Sequence, residues 1–308
     1  MTRRYAMWWL PLCFLVGRAT LLTAQQSLSS SSDIGKSGIE ALIVEPLVHD
    51  YGPFELKAES LQQVPPLMEF TFPEDLWLVG YEIGLIDRAG NSASRELQCH
   101  TFLGTSMPAH HSHEEVAGIF SDGYTPKVDL PLGFGIFFRA GEKIIWNPMF
   151  NNRSPQQAVA SMRLTLNIVR ARNLGGLKLK ALKTTFRTIK DPTDLYFVSP
   201  GEDIRETTFN LPFKGKLHVI GTHIHPFGIS IELINLTRNE SVWKAVGKKD
   251  EHGRLVAMPV YSTVEGYSVG PEDRLKIVAV YRNPTQERVD AMAGVFILYS
   301  TQPSELGR

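Results

Sequence analysis

Two histidines, His223 and His225, have the type and spacing of residues that bind metal ions. In a β-strand, side chains two positions apart point to the same face. The two imidazoles would therefore lie side by side, while Ile224 enters the opposite face. Neighbouring imidazoles suit a transition metal. The same pair could equally line a solvated strand face, so the spacing alone leaves both interpretations open.

Two further histidine groups lie in the first half of the chain. Cys99 and His100 are adjacent, and a second group follows at 110–115, with the order His110-His111-Ser112-His113-Glu114-Glu115. Imidazoles and carboxylates on one loop could gather a metal ion. The surrounding stretch is rich in turn-forming residues, which favours a solvated polar loop instead.

The N-terminus has the pattern of a secretory signal. Arg3 and Arg4 precede an apolar run at 6–17, and small residues then lead to Ala24 and a polar stretch. We therefore predict a signal peptide at 1–24 and a secreted or periplasmic protein. The apolar run is shorter than the roughly 20 residues that a membrane-spanning helix needs, so no membrane span is expected after cleavage.

Charge and cysteine content narrow the function classes. The 32 basic residues balance the 32 acidic ones, so no basic surplus indicates a nucleic-acid partner. Cleavage after Ala24 would also remove Cys13 and leave Cys99 without an intramolecular partner, so the fold cannot depend on a disulfide. The sequence contains no nucleophile elbow, phosphate-binding glycine loop or zinc helix motif.

The elements that must position these residues have the pattern of β-strands. Short runs rich in Val, Ile, Leu, Phe and Tyr are separated by Gly, Pro, Asn and Asp, at 76–86, 135–138, 162–169, 217–220, 229–234, 275–281 and 295–299. The class is therefore all-β, sandwich or barrel. The length of 308 residues suits two domains. We place a linker at 25–50 and the domains at 51–172 and 173–308.

The segment Gly221–Gly228, with the sequence GTHIHPFG, resembles the second copper site of the type II, ascorbate-dependent copper monooxygenases. This is the family of peptidylglycine alpha-hydroxylating monooxygenase and dopamine beta-monooxygenase. In that family a His-x-His pair and a much later methionine bind the copper at which dioxygen is activated. Here Met292 stands where the family's methionine ligand precedes its last long strand.

The resemblance spans about 70–300 and implies two jelly-roll-like antiparallel β-sandwich domains. It implies that His223, His225 and Met292 bind copper, in a soft site that favours Cu(I). A methionine in an apolar strand is more often a core residue, but its joint occurrence with the histidine pair favours ligation. By the same resemblance, the copper would activate dioxygen to hydroxylate a C–H bond of an unknown substrate, with ascorbate or another reductant supplying electrons.

The first half of the chain resembles the family's electron-transfer copper domain less closely. The segment Cys99–Pro108 is similar to the stretch that holds two of that site's histidines, and Met149 stands where the third occurs. His100 and Met149 are therefore candidates for a second copper site. A one-residue slip reverses the faces of a strand, so whether His100 points at Met149 stays open. Either this site is lost, or Cys99, His100 and Met149 form a different, softer one.

Two departures from the family bear on the substrate. Peptide-hydroxylating members have an Arg just before the His-x-His pair and a Tyr four residues after the methionine, where this chain has Gly221 and Phe296. A peptide with a C-terminal glycine would lack its usual partners here. The substrate, a small molecule or a peptide, is therefore unknown. The alternatives to a monooxygenase are a non-catalytic Cu(I) binding or delivery protein and an inactive homologue.

Overall fold

The computed structural model describes residues 42–106, 117–190 and 195–301, and these residues form strands and short turns with no α-helix among them. The first half contains β1 (Glu45–Leu56), β2 (Ser60–Gln63), β3 (Met68–Thr71), β4 (Leu76–Ile86), β5 (Gln98–Gly104), β6 (Gly118–Asp122), β7 (Lys127–Asp129), β8 (Phe134–Phe138), β9 (Lys143–Asn152), β10 (Ala158–Arg170) and β11 (Lys180–Ala181). The predicted signal peptide and the histidine group at 110–115 lie outside the described residues.

The second half contains β12 (Lys183–Thr188), β13 (Tyr196–Val198), β14 (Gly201–Asn210), β15 (Gly215–Ile224), β16 (Gly228–Asn235), β17 (Glu240–Val246), β18 (Lys248–Lys249), β19 (Leu255–Ala257), β20 (Tyr261–Val269), β21 (Arg274–Asn283), β22 (Val289–Ala291) and β23 (Ala293–Thr301). Single turns of 3₁₀ helix lie at Arg95–Leu97 and Ala171–Asn173. Across the described ranges, no helix has the length and apolar character needed to cross a membrane.

The strands of the first half pair into the two sheets of a jelly roll. One sheet has the order β1-β10-β4-β8, with β7 also on β4 and β11 joined in parallel to β8. The other has the order β2-β9-β5-β6, with β3 also on β9. We count β2 and β3 as one strand and β7 and β8 as another, and number the resulting eight strands in chain order. The two sheets then have the strand orders 1-8-3-6 and 2-7-4-5. This is the arrangement of an eight-stranded jelly roll.

The second half repeats this topology. Its main sheets have the orders β12-β23-β15-β20 and β14-β21-β16-β17, which are again 1-8-3-6 and 2-7-4-5 when the main strands are counted in chain order. Two short pairs, β13 with β22 and β18 with β19, lie beside them. The predicted all-β class with two jelly-roll-like antiparallel sandwiches is confirmed.

Each sandwich encloses an apolar core because its strands alternate. In β10, Leu164, Leu166 and Ile168 are fully buried, whereas the two residues between them, Thr165 and Asn167, are half-buried. The same alternation runs along β21 from Leu275 to Tyr281. The apolar face of each sheet is thus directed inward, as a period of two requires.

Both predicted domain boundaries differ from the structure. β1 begins at Glu45, inside the predicted linker at 25–50, because its backbone pairs with β10 and Leu47 packs on the first core. β11 still pairs with β8 of the first half, and Leu182 belongs to the first core. The change from one sandwich to the other therefore falls next to Leu182 rather than at 172–173.

The two sandwiches pack sheet against sheet. Phe120 of β6 stacks on Phe186 of β12 with ring centroids 4.6 Å apart, and it lies 5.7 Å from the ring of Phe296 in β23. The hydroxyl of Thr184 donates to the carbonyl of Gly118 across the same interface. β15 and β23 are therefore covered on both faces, which explains their nearly continuous burial.

Candidate metal centre

The two imidazoles of the His-x-His pair lie at the interface between the sandwiches. His223 is 1% and His225 is 3% exposed, and their ring centroids are 5.3 Å apart. Alternation along β15 turns His223 toward Phe120 of the first sandwich and directs Ile224 into the second core. The expectation that the imidazoles lie together, opposite Ile224, is confirmed.

A carboxylate holds each of these imidazoles through its Nδ1 atom. Nδ1 of His223 lies 3.1 Å from Oδ2 of Asp122, and Nδ1 of His225 lies 2.9 Å from Oδ2 of Asp290. An ionised carboxylate only accepts hydrogen bonds, so Nδ1 carries the proton in both rings. In a neutral imidazole the lone pair is then on Nε2. This is the arrangement that second-shell carboxylates impose on metal-binding histidines.

The Nε2 atom of His223 is buried and has no hydrogen-bond partner. Leaving a buried polar atom unsatisfied costs about 1–3 kcal/mol. A metal ion bound at Nε2 would use this lone pair, and it would do so without disturbing the contact with Asp122. The residues present therefore fit a metal ion at this point.

A β-bulge brings Cys99 and His100 of the first sandwich to the same place. Gln98 and His100 pair with consecutive residues of β9, so Cys99 is the extra residue of β5. Adjacent side chains of a regular strand point to opposite faces, whereas a bulge can re-aim one of them. The ring centroid of His100 lies 5.2 Å from that of His223.

The thiol of Cys99 lies among the imidazoles. Its Sγ atom is 3.4 Å from Nδ1 of His100 and 3.9 Å from Nε2 of His225. Sγ and one nitrogen from each of His100 and His223 lie within 4.8 Å of one another. We call Cys99, His100, His223 and His225 the interdomain cluster, because two of its members come from each sandwich.

Burial and nearby charges set the protonation of this region. Burial raises the pKa of the Cys99 thiol to about 12, and the charge of Asp122 adds to the effect. Burial also lowers the pKa of His225, against the opposing hydrogen bond to Asp290, so the imidazole is neutral at pH 7. Burial would raise the pKa of Asp290, but the hydrogen bonds from Arg153 and His225 hold it well below its usual range.

The structure places the two candidate methionine ligands next to the histidines in the backbone pairing. Met149 of β9 is the direct partner of His100 in β5, so their side chains share one face of the sheet. This settles the register that the sequence left open. The carbonyl of Met292 accepts a hydrogen bond from the N–H of His225 at 3.0 Å, and Met292 is 5% exposed. Metal binding by either thioether stays a prediction.

The two positions that depart from the peptide-hydroxylating enzymes pack on each other. A Cβ atom added at Gly221 would lie 2.0 Å from the ring of Phe296, and that ring is fully buried. Phe296 thus fills the space above Gly221 and contributes to the contact between the sandwiches. Neither position offers a polar group to a substrate.

A cavity of about 510 Å³ borders the interdomain cluster. Cys99, His223 and His225 contribute to its wall, together with Tyr124 and Arg153 of the first sandwich. The cavity provides a path toward the cluster, which a metal site needs, and space for a small molecule beside it.

Three charged residues of the site were not predicted from the sequence: Asp122, Arg153 and Asp290. Arg153 donates two hydrogen bonds to Asp290, at 2.5 and 2.6 Å, and so fixes the carboxylate that holds His225. Asp122 is separated from His223 by 101 positions in the chain. No local spacing links such residues, so only the fold reveals them.

Comparisons with protein-family models and with curated proteins find no match. Among solved structures, the chain is similar to one of PBCV-1 VP54 fitted into a reconstruction of the virophage Sputnik, with 7% identity, a TM-score of 0.36 and coverage of 83% of this chain and 94% of that one. It is also similar to a chain of Sulfolobus Turreted Icosahedral Virus, with 9% identity, a TM-score of 0.36 and coverage of 86% and 92%. At these values the likeness carries no argument about function.

Proposed function

We propose that this chain is a copper-binding protein that holds one Cu(I) ion at the interdomain cluster, with His223 and His225 as ligands. The observation that carries the proposal is the buried, unpartnered Nε2 atom of His223. Asp122 fixes the other nitrogen of this ring, and Asp290 does the same for His225. Both rings therefore present an Nε2 lone pair within the buried region between the sandwiches.

The donor atoms around these rings favour Cu(I) over harder ions. The region holds imidazoles and a thiol, and the resemblance to the copper monooxygenases adds the thioether of Met292. Sulfur ligands select soft metals and imidazole suits transition metals including copper, whereas Mg²⁺ and Ca²⁺ prefer clustered oxygen ligands. The two nearby carboxylates, Asp122 and Asp290, are already bound to imidazoles.

A copper-dependent monooxygenase is the second candidate function, and the cavity beside the cluster is the observation that favours it. When bound, the copper would supply dioxygen activation, with electrons from ascorbate or another reductant. The cavity of about 510 Å³ has room for a small substrate. Arg153 lies on the wall of this cavity, where both terminal nitrogens of its guanidinium donate to Asp290.

Copper content measured on the purified full chain tests the first candidate. After anaerobic loading with Cu(I) and removal of excess metal, we expect about one copper per chain, and we expect His223→Ala or His225→Ala to lose it. His252→Ala is the matched control, because this imidazole is 67% exposed and is not among the residues that line the cavity. A chain that retains no copper, or equal retention by all three variants, would contradict the proposal.

Oxygen uptake separates the two candidates. A monooxygenase requires uptake that depends on both copper and ascorbate and is coupled to a hydroxylated product. Copper retention without coupled uptake, across a panel of small molecules that fit the cavity, favours the binding protein.

Export of the chain is part of the same proposal. The pattern at 1–24 supports a cleaved secretory signal and a secreted or periplasmic location. N-terminal sequencing of the exported protein should begin near Gln25. Intact chain with Met1 retained inside the cell would contradict it.

A further inference from the structure

We propose that Cys99 and His100 of the first sandwich complete the copper site of His223, so that one Cu(I) ion is held by a thiolate and by imidazoles from both sandwiches. The inference rests on the proposed function and assigns two further ligands to the same site. In this arrangement the first sandwich has no copper site of its own, because two of its candidate residues, Cys99 and His100, serve the shared one.

The donor atoms are near the separations that a single ion requires. Sγ of Cys99 lies 3.4 Å from Nδ1 of His100, and Sγ and one nitrogen from each of His100 and His223 lie within 4.8 Å of one another. In a four-coordinate site with metal–nitrogen distances of about 2.0–2.1 Å and a metal–sulfur distance of about 2.3 Å, donors are about 3.4–3.6 Å apart. Side-chain movements of about 1 Å or less would close the cluster around one ion.

The unpartnered imidazole of His223 is an observation independent of the thiol. A lone buried cysteine is commonly an inert core residue. Cys99 instead lies beside two imidazole nitrogens, one of them Nε2 of His225 at 3.9 Å. The third imidazole, His223, is 1% exposed and has a free Nε2 atom. The thiol and the unpartnered nitrogen therefore point to the same ion.

The β-bulge in β5 positions two of the proposed ligands, Cys99 and His100. It interrupts the regular pairing with β9 at Cys99 and allows this residue and His100 to approach the second sandwich together. Bulges of this kind often re-aim side chains beside functional sites. A regular strand would direct one of the two residues away from the imidazoles of the second sandwich.

Binding exchanges a proton for the metal ion. The S–H bond of Cys99 breaks, an Sγ–Cu bond forms and the proton leaves to solvent. The copper remains Cu(I), so no electron is transferred. One thiolate neutralises the single positive charge of the ion, which lowers the cost of placing it in a buried site.

X-ray absorption on the Cu(I)-loaded full chain tests the thiolate directly. The Cys13→Ser background leaves Cys99 as the only thiol of the chain. We expect a sulfur scatterer at about 2.3 Å from copper, and we expect Cys99→Ser to lose it. The same substitution should weaken Cu(I) binding at least about tenfold in competition with a Cu(I) chelator. Met162→Leu is the matched control, because this methionine belongs to the core of the first sandwich and not to the interdomain cluster, and it should retain the sulfur scatterer.

The outcomes distinguish this inference from the proposed function. If Cys99→Ser retains the sulfur scatterer and the affinity while His223→Ala still loses copper, the shared site is wrong and the proposed function stands. If the unsubstituted chain binds no copper, both are wrong.

A second measurement covers the case in which Cys99→Ser does not fold, as judged by circular dichroism. The rate at which a thiol reagent alkylates Cys99 in mild denaturant is then compared on the Cys13→Ser chain with and without Cu(I). Slower alkylation with Cu(I) supports ligation by the thiolate, and equal rates overturn it.

Discussion

Nδ1 of His223 in the second sandwich lies 3.1 Å from Oδ2 of Asp122 in the first. Both residues are 1% exposed. The other carboxylate oxygen of Asp122 accepts the backbone N–H groups of Tyr124 and Thr125, at 2.9 and 2.6 Å, so the carboxylate is fixed by its own loop. One hydrogen bond thus determines the tautomer of a candidate ligand and joins the two sandwiches.

Replacing Asp122 with Asn should weaken copper binding. The amide can present an N–H₂ donor to Nδ1 of His223, which would shift the imidazole proton to Nε2 and remove the lone pair from the cluster. Losses of second-shell partners typically cost about 10–100-fold in metal affinity. Competition with a Cu(I) chelator measures the change.

The control for this prediction is Asp129→Asn, because the Asp129 carboxylate is 69% exposed and lies outside the cluster. It should bind copper as tightly as the unsubstituted chain. If the Asp122→Asn variant is folded and binds copper with unchanged affinity, the Asp122 carboxylate does not have the role proposed for it.

Gly221→Ala should destabilise the protein. The new Cβ atom would lie 2.0 Å from the buried ring of Phe296, and neighbouring Phe120 and Phe186 limit how far that ring can move. Overpacking of this kind costs about 1–3 kcal/mol. Urea unfolding gives the free energy of unfolding of each variant.

Gly84→Ala provides the matched control in a strand of the first sandwich. A Cβ atom at Gly84 would meet nothing within 4 Å, so the free energy of unfolding should change by less than about 0.5 kcal/mol. Equal stability of the two glycine variants would show that the interface adapts to the added methyl group.

The ionised carboxylate of Asp273 should stabilise the folded protein, and this contribution should be lost in acid. Burial alone would raise its pKa, but hydrogen bonds from Asn235 and Gly270 and the ion pair with Arg238 outweigh it and hold the pKa below 3.8. A depressed pKa in the folded state stabilises the fold above the unfolded value, and this contribution is lost as the pH falls through the folded value.

Urea unfolding at pH 7 and at a pH below about 3 tests this expectation. Asp273→Asn should lower the free energy of unfolding at pH 7 and reduce its loss on acidification, relative to the unsubstituted chain. Asp129→Asn is again the exposed control. An unchanged acid profile in Asp273→Asn would contradict the assignment.

The sequence predicted the all-β class because apolar and polar residues alternate with a period of two in several segments. The alternation in segments such as 275–281 and 229–234 corresponds to strands of the second sandwich. The boundary next to Leu182 was missed because β11 has only two residues, and its pairing with β8 depends on the folded sheet. A strand this short has no recognisable period.

The candidate site was predictable only where its residues are close in sequence. His223 and His225 share a strand face, so their spacing reports their proximity. The approach of Cys99 depends on a bulge, which has no signature in a single sequence, and on the packing of one sandwich against the other. Asp122 is likewise brought to His223 by the interface alone.

The position of the copper ion in crystals of the Cu(I)-loaded full chain tests the central claim most directly. An anomalous difference map at the copper absorption edge should show one strong peak, within about 2.0–2.3 Å of Nε2 of His223 and Sγ of Cys99. A peak at the histidine group at 110–115 instead, or no peak at the interdomain cluster in copper-loaded crystals, would contradict the account.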